Sequence, residues 1–110
     1  MSNILNQISG LVVGQYGEGI ILTVTDDNAI PVDISTYTGS KELILRSPDE
    51  LKTLTYSISF NTNGTDGKIV FVPLIGDIDR PGIWHGQIIL VSATSKIPTQ
   101  VFTVKVSEAL

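Results

Sequence analysis

The chain has no cysteine. Disulfides, thiolate nucleophiles and cysteine-ligated metals are therefore excluded, and the pattern of a small secreted disulfide scaffold does not apply. Histidine occurs once, at His85, so a transition-metal site would have to be built mainly from carboxylates. Charge is scarce: Asp, Glu, Lys and Arg make up 16% of the residues, against about 25% in an ordinary globular domain. The 7 basic residues are scattered singly and the formal net charge is -4, so no cluster of Lys and Arg is available to neutralise a phosphate backbone. No nucleic-acid partner is expected. Long apolar runs are also missing, since stretches such as Ile88 to Val91 fall far short of the ~20 residues that cross a bilayer. No membrane partner is expected either. The start, Met-Ser-Asn-Ile-Leu-Asn-Gln-Ile-Ser-Gly, has no basic residue and no sustained apolar run, so it does not read as a secretory signal peptide.

With 110 residues the chain suits one domain, large enough to bury roughly 60 to 70% of its unfolded surface without a staple. Low charge with a positive mean hydropathy has two readings. One is a subunit packed against neighbours; the other is a β-sandwich whose surface is rich in Ser, Thr, Asn and Gln.

Residues 1–10 stand apart as an N-terminal arm, with 11–110 forming the domain. Ile4, Leu5 and Ile8 are spaced as one side of a helical turn that Ser2 or Asn3 would cap. A frayed terminus is the usual fate of such a segment, but three large aliphatics favour an arm that docks on a neighbouring subunit.

From Leu11 onward the texture is β. Strands are expected at Gly19–Thr25, Ile30–Ile34, Glu42–Ser47, Leu54–Phe60, Lys68–Pro73, along the stretch containing Trp84, and at Val101–Val106. Pro31 restricts the second to an edge or a strand end. Leu54–Phe60 alternates apolar and small polar residues, and the Asn63-Gly64 and Asp66-Gly67 pairs predict a hairpin between it and Lys68–Pro73. Pro81-Gly82 leads into the expected central strand. Trp84, Gly86, Ile88 and Leu90 share its core face, whereas His85 and Gln87 share the other. About seven short strands with no helical pattern beyond the arm indicate an all-β fold, an immunoglobulin-like antiparallel β-sandwich, ahead of a jelly roll.

No motif in the chain asks for chemistry. His85 has no second His or Cys to share a metal, and reads as an outer-face imidazole at a subunit contact. Asp77 with Asp79, or Asp26 with Asp27 and Asp33, would offer oxygens to calcium. Their spacing is not that of a calcium loop, and solvated turn aspartates explain them, with Arg80 balancing the first pair. Paired carboxylates for glycoside hydrolysis lack an aromatic cleft, because one Trp, three Tyr and three Phe lie mostly in core phase. No nucleophile elbow or phosphate loop is present. A non-enzyme with no catalytic residues, no cofactor and no metal is expected.

Four segments carry a resemblance: Val24-Thr25-Asp26-Asp27-Asn28-Ala29-Ile30-Pro31-Val32-Asp33-Ile34-Ser35, Leu43-Ile44-Leu45-Arg46-Ser47-Pro48-Asp49, Gly67-Lys68-Ile69-Val70-Phe71, and Pro81-Gly82-Ile83-Trp84 with Gln87-Ile88-Ile89-Leu90. Over Gly19 to Val106 the order of these features resembles the N-terminal domain of baseplate upper proteins and related immunoglobulin-like modules of tailed phages. The resemblance implies a virion structural protein, made in the host cytoplasm, that attaches to other virion proteins, forms homo-oligomers and contributes no catalytic residues. The chain ends at Leu110 where baseplate proteins continue, so a capsid decoration protein or a small tail or fibre component is the corresponding expectation. The alternative is a carbohydrate- or receptor-binding module. Ile4, Leu5, Ile8 and His85 are the expected partner-binding residues.

Overall fold

In the computed structural model, residues 8–26, 28, 30–99 and 101–109 are described. Alternation of apolar and polar residues organises the fold from its longest strand outward. In β7, Gly82–Val91, the residues Trp84, Gly86, Ile88 and Leu90 are buried while Ile83 and His85 are exposed, the two-residue period expected of a half-buried strand. Antiparallel to it on one side lies β3, Lys41–Arg46, which turns through Ser47–Lys52 into β4, Thr53–Ser57. On the other side lie β8, Lys96–Pro98, and β9, Phe102–Ser107, and β1, Ile8–Val12, closes that edge by pairing with β9 in parallel. The order of this larger sheet is β1-β9-β7-β3-β4, with β8 on β7. A smaller sheet runs β2-β6-β5, from Ile20–Thr23, Lys68–Phe71 and Ser59–Phe60. The orders β9-β7-β3-β4 and β2-β6-β5 are the G-F-C-C′ and B-E-D orders of an immunoglobulin-like sandwich.

The core lies between the sheets. Leu22, Ile69 and Phe71 from the smaller sheet meet Leu43, Leu45, Trp84, Ile88, Leu90, Phe102 and Val104 from the larger. Trp84 is 0% exposed, and its indole N–H donates to the Arg80 carbonyl at 3.1 Å, which satisfies the one polar atom of the largest core side chain. Tyr56 and Phe71 pack across the sandwich with ring centroids 5.2 Å apart and ring planes inclined by 45°.

Four local expectations are revised. The alternating run Leu54–Phe60 is divided between sheets: β4 pairs with β3, and only Ser59 and Phe60 pair with β6, opposite Val70 and Ile69. The apolar phase survives the change of sheet, because Tyr56 and Ile58 are both buried. The Ile30–Ile34 strand reduces to a single bridge between Thr25 and Pro31. Pro31 has no N–H, and Val32 and Ile34 donate to Val24 and Gly64 in separate loops. Residues 92–95 form a turn, and Lys96–Pro98, where no strand was expected, returns as β8. Finally, the boundary between arm and domain falls inside a strand, since Ile8–Gly10 belong to β1 and not to a helical turn. Ile4 and Leu5 lie outside the described residues. Nine strands are present among the described residues, where about seven were expected, and there is no helix among them.

Candidate functional site

The outer face of the larger sheet carries an open depression of about 200 Å³ lined by Ile44, Arg46, His85, Gly86, Gln87 and Val101. Strand register places its members: Ile44 lies opposite Gln87, and Arg46 opposite His85, which faces Thr103 on its other side. These residues occupy the polar phase of strands whose alternate positions fill the core. A β-bulge opens the remaining wall. Between the Ile89–Pro98 and Gly86–Phe102 pairs, β7 supplies Gln87 and Ile88 while the returning strand has one residue more. The bulge is pinned on both strands. Thr99 donates its N–H to the Ile88 carbonyl at 2.8 Å, the Ile88 N–H donates to Thr99 Oγ1 at 3.1 Å, and Gln87 Nε2 donates to the Thr99 carbonyl at 2.8 Å. Val101, leaving the bulge, stands 58% exposed at the rim.

Gly86 sets the depth of the sheet here. A Cβ at this position would lie 2.7 Å from Phe102 Cζ and 3.1 Å from Leu45 Cδ2, so no larger residue fits without moving the core. In chemical terms the depression offers the Arg46 guanidinium and the His85 imidazole above aliphatic surface from Ile44 and Val101. Such a set can donate hydrogen bonds to a carboxylate or carbonyl and cover an apolar group. Among the described residues its lining contains neither a carboxylate nor a hydroxyl.

A second cluster holds one end of the sandwich. Arg80 donates through Nε and Nη2 to the two oxygens of Asp79, at 2.9 and 3.1 Å, and through Nη1 to Asp49 Oδ2 at 2.8 Å. Lys52 pairs with Asp79 at 3.1 Å and donates to the Gly76 carbonyl at 2.7 Å, tying the β3–β4 turn to the β6–β7 loop. Hydrogen bonds from Arg80 and then Lys52 hold the Asp79 carboxyl down at about 2. The Ser47 hydroxyl, followed by the Leu51 N–H, lowers that of Asp49. Asp77 Oδ2 accepts from the Tyr56 hydroxyl at 2.8 Å and the Leu74 N–H at 3.1 Å, and burial followed by this carboxylate raises the tyrosine's pKa. The bracing leaves aliphatic tips in water: Leu51, Leu74 and Ile75 are 84%, 64% and 74% exposed.

The aspartates singled out in the sequence are thus engaged by protein donors. Asp33 accepts from the Ser35 hydroxyl and N–H, the hydroxyl doing more to lower its pKa, and Asp26 accepts from the N–H groups of Asn28 and Ile30. Asp27 lies outside the described residues. Among the described residues no three His, Asp or Glu side chains come together to hold a metal ion. Of the expected partner-binding residues, His85 is exposed within the depression, Ile8 begins β1 opposite Val104, and Ile4 and Leu5 are not described. Trp84, the single tryptophan, is fully buried and presents no ring on which a sugar could stack. Ile44, Arg46 and Val101 were not among the expected partner-binding residues. The first two share the polar phase of their strand, but nothing in the sequence says that β3 lies beside β7. In comparisons with known proteins, no family model and no curated sequence matches this chain.

Proposed function

We propose that this chain is a non-catalytic assembly or attachment module of a tailed-phage particle, residing in the virion among other virion proteins and in contact with further copies of itself. The observation that carries the proposal is the braced end of the sandwich. Leu51, Leu74 and Ile75 stand in water on loops that Lys52, Arg80, Asp49 and Asp79 hold in place. Aliphatic side chains presented by pinned loops suit a surface that another protein covers. The low charged fraction and the segmental resemblance to phage immunoglobulin-like modules support the same reading. Replacing Leu51, Leu74 and Ile75 together by Ser should leave the fold intact and reduce incorporation into particles. Full incorporation of a folded triple variant would refute the assignment of this end.

A second reading, a carbohydrate- or receptor-binding module, is favoured by the depression around Arg46 and His85. An acidic sugar or a peptide carboxylate would match its donors. A glycan array that binds the parent chain but not Arg46→Ala would support this reading over assembly.

A further inference from the structure

The larger sheet ends at β4, and no strand lies beyond it among the described residues. Its hydrogen-bond phase is fixed by two bonds of the β3–β4 ladder, Ile58 N–H to the Lys41 carbonyl and Ser47 N–H to the Lys52 carbonyl. Hydrogen-bonded pairs in an antiparallel ladder recur at every second residue. Leu54, Tyr56 and Ile58 therefore turn their backbone groups toward β3, while Thr53, Thr55 and Ser57 turn theirs away from it. The outward row is regular, since β3 and β4 pair over five consecutive positions with no shift of register.

Sheet edges are usually blunted by charge, proline, a bulge or shortness. Other edges of this protein show such devices. β8 carries Lys96 and Pro98, β1 has a register shift between Ile8 and Leu11, and β5 has two residues. β2 lacks charge, but the Val24 N–H to Gly67 carbonyl bond fixes its phase so that only Ile21 and Thr23 face outward. β4, Thr-Leu-Thr-Tyr-Ser, has none of these protections.

We infer that β4 pairs with β4 of a second copy, antiparallel about a two-fold axis through Thr55. This rests on the assembly reading above and names one of its partners and the surface used. A second copy fits the edge because the outward row is self-complementary. Thr55 meets Thr55 on the axis, and Thr53 meets Ser57 on either side, all as hydrogen-bonded pairs. On the outer face these residues are small, exposed and uncharged, so a chain of net charge -4 meets itself without opposing like charges along the strand. On the inner face the half-buried Leu54 comes opposite Tyr56 of the second copy, which covers apolar surface left at the end of the sheet. The interface is isologous and closed, and it joins the two larger sheets into one.

The absence of cysteine makes the test clean. The Cα atoms of a hydrogen-bonded antiparallel pair lie about 5.5 Å apart, within the span of a disulfide. Under mild oxidation Thr55→Cys should form a covalent dimer in most chains. Thr53→Cys alone should remain uncrosslinked, because its partner is Ser57, and the double variant Thr53→Cys/Ser57→Cys should crosslink again. Thr55→Pro, whose lost N–H faces away from β3, should keep the thermal melt cooperative and sediment as a monomer where the parent sediments as a dimer. A monomeric parent, equal crosslinking through Cys at 53 and 55, or a dimer that survives Thr55→Pro would each overturn the inference. These measurements use the isolated protein in solution, so a dimer that never enters particles would count against the virion reading and leave the edge pairing standing.

Discussion

Gly86→Ala tests how the sandwich supports its outer face. The new methyl group would sit 2.7 Å from Phe102 Cζ, 2.9 Å from Phe102 Cε2 and 3.1 Å from Leu45 Cδ2. Gly86 and Phe102 are directly paired in the β7–β9 ladder, so neither backbone can retreat without breaking register. The Phe102 ring, 3% exposed, has to rotate or shift within the core. Overpacking of this kind costs about 1–3 kcal/mol. Loss of glycine's freedom in the unfolded chain offsets about 0.4–1 kcal/mol, so a net destabilisation of roughly 1–2 kcal/mol is expected from the two terms. Urea melts of the parent, Gly86→Ala, Phe102→Leu and the double variant form a cycle. Phe102→Leu alone should destabilise, yet in the Gly86→Ala background it should cost less, because the smaller side chain leaves room for the methyl group. A Gly86→Ala protein as stable as the parent, or strictly additive effects, would refute the close approach of β7 and β9.

Trp84→Ala should cost about 3–5 kcal/mol, lowering the melting temperature without a specific loss of partner binding; unchanged stability would displace Trp84 from the centre of the core. Thr99→Val removes the hydroxyl that accepts the Ile88 N–H. Leaving that buried donor unpaired should cost about 1–3 kcal/mol, read in denaturant melts, and a neutral outcome would mean that the bulge is not pinned there. Asp79 has its carboxyl lowered from 3.8 to about 2 in the folded chain, so the folded state favours the ionised form. Its contribution is complete above about pH 4 and fades as pH falls through about 2. Side-chain exposure of 37% limits it to under about 1 kcal/mol and makes it sensitive to salt. Asp79→Asn should flatten the stability-pH curve between those values, and a curve identical to the parent's would show that the network contributes nothing to stability.

Features of the fold that depend on one strand at a time were legible in the sequence. The alternation around Trp84 predicted which residues of β7 enter the core, and the same rule assigned Tyr56 and Ile58 to the interior. Features that depend on which strands meet were not. The run Leu54–Phe60 keeps one apolar phase while crossing between sheets at Ile58, and a periodicity of two carries no mark of such a crossing. Ile8–Val12 contains Ser9 and Gly10, weak strand formers, and its pairing partner lies at the far end of the chain, so Ile4, Leu5 and Ile8 read as a helical turn instead. β8 was hidden by Pro98, which fits only because it lies on an edge. Arg46 and His85 are neighbours through the β3–β7 register, and the place of β4 at the end of the sheet follows from sheet order, which no single strand encodes.

Copy number in intact particles tests assembly most directly. Under the virion role proposed above, phage particles washed in high salt and quantified by mass spectrometry should contain this chain at a fixed ratio to the major structural protein. Hundreds of copies would place it on the capsid, and a few to a few dozen in the tail or fibre. Its absence from washed particles, with the free protein remaining in the lysate, would contradict a virion role.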